Sequence, residues 1–419
     1  GIRSPSSLLF VLANTRSMSP EIAETTTRDI CQSIQKSINN TDLNFDDVLF
    51  ISRGDSTLRG HGVLEPTILS QELGPFDATF HVPAFFEGGR TTVNGVHFLN
   101  GSPVHLSNFA SDQIFGYSTS YLPDWLEEKS KGEILSQSVF RVTIEQLQDA
   151  IKSDKGMKEL CVFLKALSRN VSVVVDAEDS SHLEVFAKAV IQLMGEKRFL
   201  FRSAASLISA FAQLPKNSYI PSSLASLRLK DQCSIYKPGL IVVGSHVQLA
   251  DEQLAVLLKN KNCEGVELPV YKISRVLDGS LPDVLLKDLE NRWFMQLKKI
   301  LQAYKTPVLY TSRGEVSFPS VAKRMFFGLQ LAELMARLTT HLCYDLGYVI
   351  IKGGITTQIL LQKGLGLGIV ELKGQLLPGL SVICPYSNEN IGQIPILTFP
   401  GNLGDSRTLL NAWQLMEQV

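Results

Sequence analysis

At 419 residues, with 44% hydrophobic and 19% charged side chains, the chain has a globular composition and room for two or three domains. Forty basic against 41 acidic residues leave no field to attract nucleic acid, and no apolar run approaches the roughly 18–20 residues that span a bilayer. Six cysteines stand far apart with no CxxC and no histidine in metal spacing, which argues for reduced thiols in the cytoplasm rather than disulfides or a zinc site.

The apolar run 7–13 reads as a first strand, and Ser19 caps a helix that carries Pro20 at its first position and reaches about residue 39. Run 48–51 reads as a buried strand leading into Arg53-Gly54-Asp55-Ser56-Thr57-Leu58-Arg59-Gly60-His61-Gly62, with a helical pattern over 63–73 behind it. This turn is poor core material. Arg59 offers a fork of donors to a carboxylate or phosphate, and Asp55, Ser56 and Thr57 offer oxygens to hydroxyls. The alternative is a capped turn in which Asp55 and Arg59 pair structurally. A second buried run, 78–82, leads into Pro83-Ala84-Phe85-Phe86-Glu87-Gly88-Gly89-Arg90, again an acid, paired glycines and an arginine after a strand. Two such loops at strand C-termini in one sheet lie where open α/β sheets bind ligands.

Asn100-Gly101 between runs 96–99 and 103–106 signals a hairpin. Residues 107–134 read as irregular surface chain, 171–176 as a strand, 182–194 as a helix, and 199–201 with 204–213 as a closing strand and helix. The pattern divides the chain into a first domain over 1–214, a linker over 215–237 and a second domain over 238–419. In the second domain, runs 240–243, 348–351 and 395–399 each end in a small-residue turn opening onto a helix: Gly244-Ser245, Lys352-Gly353-Gly354-Ile355-Thr356 and Pro400-Gly401-Asn402-Leu403-Gly404. Glycine turns at helix N-termini suit phosphates, and three of them on neighbouring strands favour a nucleotide. A long amphipathic helix is expected over 321–343. No P-loop or kinase HRD/DFG set is present, and Gly364-Leu365-Gly366-Leu367-Gly368 stands in the wrong order for a dinucleotide fold. The fold class is therefore α/β, with two domains that each carry a largely parallel sheet flanked by helices.

In this order the motifs resemble the four-carbon acid sugar kinase family: Asp55 to Gly60, Pro83 to Thr92, Asn100-Gly101, Val173 to Ala177 and Arg202 to Ser206 in the first half. In the second half the resemblance runs through Gly244-Ser245, Thr311-Ser312-Arg313, Lys352 to Thr356, Pro378-Gly379 and Pro400 to Gly404. The Arg53-to-His61 form is also similar to the kinase-like domain of plant fusion proteins that carry dehydrogenase and aldolase domains. The resemblance implies ATP–Mg²⁺-dependent phosphorylation of the terminal hydroxyl of threonate, erythronate or 3-oxo-tetronate, in a cleft between the two domains. It implies sugar-acid contacts from Asp55, Ser56, Arg59, Glu87, Gly88, Gly89 and Arg90. Nucleotide contacts are expected from Ser245, Gly353, Gly354, Ile355, Thr356, Gly401, Asn402 and Gly404, with Arg90 or Lys352 stabilising the transferring phosphoryl group. A homodimer or a fusion to other metabolic domains is compatible with it.

Members of that family begin with a strand ending in Asp-Asp before Thr-Gly-Ala; none precedes Ser7, and Asp46-Asp47 enters a strand rather than leaving one. Gln358-Ile359 also replaces a usual Ser-Asp, and Ala250-Asp251 stand where threonines are frequent. Two expectations follow. The chain is a kinase whose sequence continues upstream, or it is a catalytically inactive sugar-acid or nucleotide-binding domain of a larger protein.

Overall fold

The computed structural model describes residues 8–212, 221–245, 247–278, 280–313, 321–386, 392–401 and 403–418. The chain divides into two compact units, Gly1–Lys216 and Asn217–Val419.

In the first unit five parallel strands lie in the order Phe50–Arg53, Phe199–Ser203, Ala78–Val82, Val171–Val175 and Phe140–Val142. One face of this sheet is apolar until Ser203 and Arg53 close it at the C-terminal edge. The Phe80 ring lies 5.1 Å from Phe186 and Phe199 and 5.5 Å from Phe201, centroid to centroid, within a cluster that includes Val82, Val173 and Val175. The other face changes along its length. At the strand starts Phe50 and Leu200 pack with Cys31, Ile38, Leu73 and Phe76. Two residues further on, the register aligns Ser52, Arg202, His81 and Val174 across four neighbouring strands. In-register neighbours share a face, so a polar row crosses the sheet near its C-terminal edge. Leu58, Tyr117, Leu122 and Trp125 form a separate cluster with Val174 over that row.

Ser19 Oγ accepts the Ile22 N–H at 3.5 Å and opens the helix Pro20–Asn39. The expected hairpin is present: Asn100 and Gly101 have φ of 49° and 79° between Val96–Leu99 and Ser102–Pro103, as a type I′ turn requires. An equivalent turn at Asn94 and Gly95 (φ 51° and 76°) joins Arg90–Val93 to Val96–Leu99, completing a small antiparallel sheet that sequence inspection missed.

Two expectations fail. Residues 8–13 form no strand, and Leu8 to Leu12 are exposed, because an extended apolar run is stable only when a ladder takes up its backbone groups. Residues 107–134 are not all irregular: Leu122–Ser130 is a helix with Pro123 in its first turn, which buries Leu122, Trp125 and Leu126.

The second unit is built on seven strands in the order Cys263–Leu268, Thr306–Thr311, Leu240–Val243, Val349–Lys352, Ile396–Phe399, Leu380–Pro385 and Val370–Leu377. The first five are parallel and the last two antiparallel. The helix Val321–Leu342 buries Phe327, Leu331, Leu334, Leu338 and Leu342 on one stripe, as its periodicity predicts. Among the described residues no helix is long and apolar enough to cross a membrane, and all six cysteines are free thiols.

Phe80→Ala should destabilise the protein by about 3–5 kcal/mol, since it empties a fully buried site lined by aromatic rings. Urea titration followed by circular dichroism measures it; a loss near zero would show that the cluster is loosely packed.

Candidate functional site

The turn after Phe50–Arg53 is held from every side. Asp55 Oδ1 accepts the Thr57 N–H at 2.9 Å and its hydroxyl at 2.8 Å, while Oδ2 accepts from Arg59 Nη2 at 3.0 Å and Arg16 Nη1 at 2.8 Å. Burial alone would raise the Asp55 pKa, but Thr57, Arg59 and Arg16 hold it below the ordinary range. The Leu58 N–H donates to the Asp55 carbonyl at 3.0 Å, with Leu58 in the left-handed region at φ 64°. That is a strained position for a branched side chain. Two buried groups pay it back by pinning the neighbouring carbonyls: Tyr117 Oη donates to Thr57 at 2.8 Å and His97 Nε2 lies 2.8 Å from Ser56. The other His97 nitrogen meets Thr92 Oγ1 at 3.0 Å, so this imidazole joins the small antiparallel sheet to the turn. Burial lowers its pKa to about 4, which keeps it neutral.

Arg59 thus fulfils the structural reading in part. It pairs with Asp55, its Nε donates to Thr57 Oγ1 at 3.0 Å, and its guanidinium lies 4.6 Å from the Phe109 ring centre. Its other terminal nitrogen, Nη1, is 3.8 Å from Asp112, an ion pair too long for a hydrogen bond. Arg90 comes into the same neighbourhood. Burial lowers its pKa, with Asp55 acting against that and Arg59 with it, and its Nε is buried without a partner. Glu87 is exposed, 3.5 Å from Ser206 Oγ. Gly88 and Gly89 shape the loop: Arg90 Nη1 donates to the Gly88 carbonyl, and Gly89 has φ 70°.

A pocket at this turn is lined by Asp55 and Arg59 together with His81, Trp125, Arg202 and Ser203, four residues that sequence inspection gave no role. Arg202 donates to Ser52 Oγ at 2.7 Å and pairs with Glu65. Gly54 is required here, because a Cβ would lie 2.7 Å from Arg202 Nε. Both ring nitrogens of His81, Trp125 Nε1 and Ser203 Oγ are buried without a hydrogen-bond partner. Buried orphan polar groups are uncommon enough to require a reason.

In the second unit the three turns do converge, because Leu240–Val243, Val349–Lys352 and Ile396–Phe399 are adjacent strands. A Cβ on Gly244 would lie 2.0 Å from Thr356 Oγ1, and one on Gly401 2.8 Å from Ser245 Oγ. Gly353 takes φ 124° beside Ser245, Ile355 is exposed, Gly354 faces open space, and Gly404 has φ 77°. Asn402 lies outside the described residues. Gln253, fully buried, donates to the carbonyls of Leu403 at 3.0 Å and Asp405 at 2.6 Å and fixes the third turn.

Lys352 does not present its charge to the turns' open side. It is fully buried, its Nζ donates to the Pro400 and Gly401 carbonyls at 3.2 and 3.0 Å, and it lies 3.9 Å from the Phe399 ring centre. Burial lowers its pKa to about 8. Arg313 is the cation that sequence inspection left without a role. It donates to the Ser245 carbonyl at 2.7 Å and pairs with Asp251 at 3.1 Å, while its Nε and Nη2 are buried without partners.

The sugar-binding N-terminal domain family matches residues 3–211, and the nucleotide-binding C-terminal domain family matches residues 240–409. The chain belongs to the four-carbon acid sugar kinase family. It is similar to a D-threonate kinase of Salmonella typhimurium, 24% identical over 381 residues covering 87% of this chain and 80% of that protein. A D-threonate kinase of Cupriavidus necator is 23% identical over 373 residues, covering 87% and 79%. A Haemophilus influenzae structure of the DUF1537 family superposes with a TM-score of 0.64 at 18% identity, covering 96% of this chain and 87% of that one. A Salmonella typhimurium LT2 structure superposes at 0.68 with 16% identity, covering 95% and 86%. At these identities the structures establish the fold alone. In this four-carbon acid sugar kinase family member the orphaned polar atoms of the first unit fall within the sugar-binding match, and the converging turns and Arg313 within the nucleotide-binding match.

Lys352 generates a pH signature. Between about pH 8 and its ordinary 10.5, the unfolded chain binds the Lys352 proton and the folded chain does not, so its contribution makes stability rise with pH. Urea titrations across that window should show wild type gaining on Lys352→Met. Parallel curves would mean that the ammonium is solvated.

Proposed function

We propose that the chain is a kinase transferring the γ-phosphoryl group of ATP to the terminal hydroxyl of a four-carbon sugar acid of the threonate, erythronate or 3-oxo-tetronate type. One observation carries this reading above the others. A pocket with an arginine–aspartate turn and three orphaned polar atoms, on His81 and Trp125, lies within the sugar-binding match, while three phosphate-type turns meet within the nucleotide-binding match. Arg59, through Nη1, and the unpartnered Arg90 Nε are the donors for the substrate carboxylate. Ser56, Glu87, Gly88 and Gly89 belong to the two loops that carry these arginines and shape the carboxylate end of the site. Ser245, Gly353 to Thr356, Gly401 and Gly404 are the nucleotide contacts.

Phosphoryl transfer asks the protein mainly for positioning and charge neutralisation. Arg313, with two unused donors beside Ser245, is placed for the second task, and Lys352 braces the Pro400–Gly401 turn. Magnesium is usually held by one or two carboxylates plus substrate phosphates rather than by a protein cage. The donor set fits that mode: among the described residues no three His, Cys, Asp or Glu side chains cluster, and Asp251 and Asp405 stand at the turns. Magnesium, when bound, would offset phosphate charge.

A second reading, a binding module without turnover, is favoured by one feature. Asp55, the carboxylate of the pocket, has both oxygens committed to Thr57, Arg59 and Arg16, which leaves it a poor proton acceptor.

ATP consumption against a panel of threonates, erythronates and 3-oxo-tetronates separates the two readings. Turnover on one of them is expected; ATP and tetronate binding with no turnover on any would leave the binding module. In calorimetry, Arg59→Ala should weaken tetronate binding about 10- to 100-fold with ATP affinity nearly unchanged, and Arg313→Ala should do the reverse, each variant losing about 1.5–3 kcal/mol of charge-assisted hydrogen bonding. If either variant lost both ligands equally, the residue would be structural.

A further inference from the structure

His81 stands at the centre of the polar row, between Arg202 and Val174. It is buried, lines the same pocket as Asp55 and Arg59, and leaves both imidazole nitrogens without a partner. Trp125, on the same pocket, likewise has its Nε1 buried and unsatisfied. A buried imidazole with neither nitrogen bonded carries a desolvation cost that a ligand of matching chemistry removes. That chemistry is restricted. Arg202 beside it already answers Glu65 and Ser52, so the row needs no further anion at this point. A neutral imidazole offers one N–H donor and one lone-pair acceptor, the pattern that complements an alcohol. Burial, reinforced by Arg202, depresses the His81 pKa to about 3, so near neutrality the ring is uncharged and serves neither as an anion grip nor as an effective base.

We propose that His81 is a specificity-determining residue that hydrogen-bonds the internal hydroxyls of the sugar acid and so selects a polyhydroxy acid over its deoxy analogue. This rests on the sugar-acid reading above and adds the part of the substrate that the arginines do not read. The carboxylate goes to the Arg59–Arg90 side, and the carbon chain runs toward His81 and Trp125. A site built to bond a hydroxyl discriminates strongly against the analogue that lacks it, because its own polar groups are then left unpaired.

The test is calorimetric, on the full chain without ATP, with the best-binding tetronate and with 4-hydroxybutyrate. The latter keeps the carboxylate and the terminal hydroxyl and lacks the internal ones. Wild type should prefer the tetronate by at least about 100-fold, and His81→Phe should cut that preference at least about tenfold while changing 4-hydroxybutyrate affinity less than about threefold. His81→Gln, which restores a donor and an acceptor, should recover part of the preference, and it carries the test alone if the phenylalanine variant fails to fold. The wild-type preference should also be flat from mildly acidic to mildly alkaline pH, since the imidazole does not titrate there. Equal losses for both ligands in a folded variant, or no change in either, would overturn the proposal. Discriminating binding with no phosphoryl transfer would sink the kinase reading and leave the His81 assignment standing; failure of wild type to bind any tetronate would overturn both.

Discussion

The Asp55 carboxylate and its four donors are the constraint on which the first unit's site depends. A turn of small and polar residues at a strand end has little hydrophobic burial to hold it, and here it also contains a leucine in the left-handed region. Side-chain hydrogen bonds therefore supply the order, from Thr57, Arg59 and Arg16 on the carboxylate and from Tyr117 and His97 on the carbonyls. One consequence is that Arg59 is rigid before any ligand arrives, with three of its contacts made and Nη1 left outside hydrogen-bond range of Asp112. A preorganised cation loses little entropy on binding.

The second unit solves a different problem by backbone proximity. Its three turns approach so closely that side chains at Gly244 or Gly401 would collide with Thr356 or Ser245. Such crowding leaves a row of carbonyls that need partners. Lys352 and Gln253 answer those carbonyls from beneath. Burying an ammonium is costly, and the lowered pKa of Lys352 expresses that cost. The arrangement separates two duties that look alike in a sequence: a lysine that fastens the loop and an arginine, Arg313, that keeps unused donors.

Features governed by local chemistry were legible. Ser19-Pro20 opens its helix where expected, Asn100-Gly101 makes its hairpin, and the stripe from Phe327 to Leu342 packs as its period requires. Asn94-Gly95 and the Thr143–Gln146 capping box carried equally plain signals that went unread. Other elements gave weak signals. Phe140–Val142 is three residues long, and Cys263–Leu268 mixes buried and exposed positions because it lies at a sheet edge. Residues 8–13 look like a strand in composition, yet strand formation is a property of a neighbour as much as of the run itself.

By itself the sequence determined the α/β alternation, the two loops bearing Asp55–Arg59 and Glu87–Arg90, and the three glycine turns, since each follows from residue type at short range. Only the tertiary structure decided what those groups do. The pairing register places Arg202 between His81 and Ser52, residues 29 to 150 positions apart in the chain, and turns a histidine hidden in an apolar run into a pocket wall. Strand order brings the three turns together, and burial turns Lys352 inward while leaving donors free on Arg313. Register, strand order and side-chain direction are set by contacts between distant segments, which no local pattern encodes.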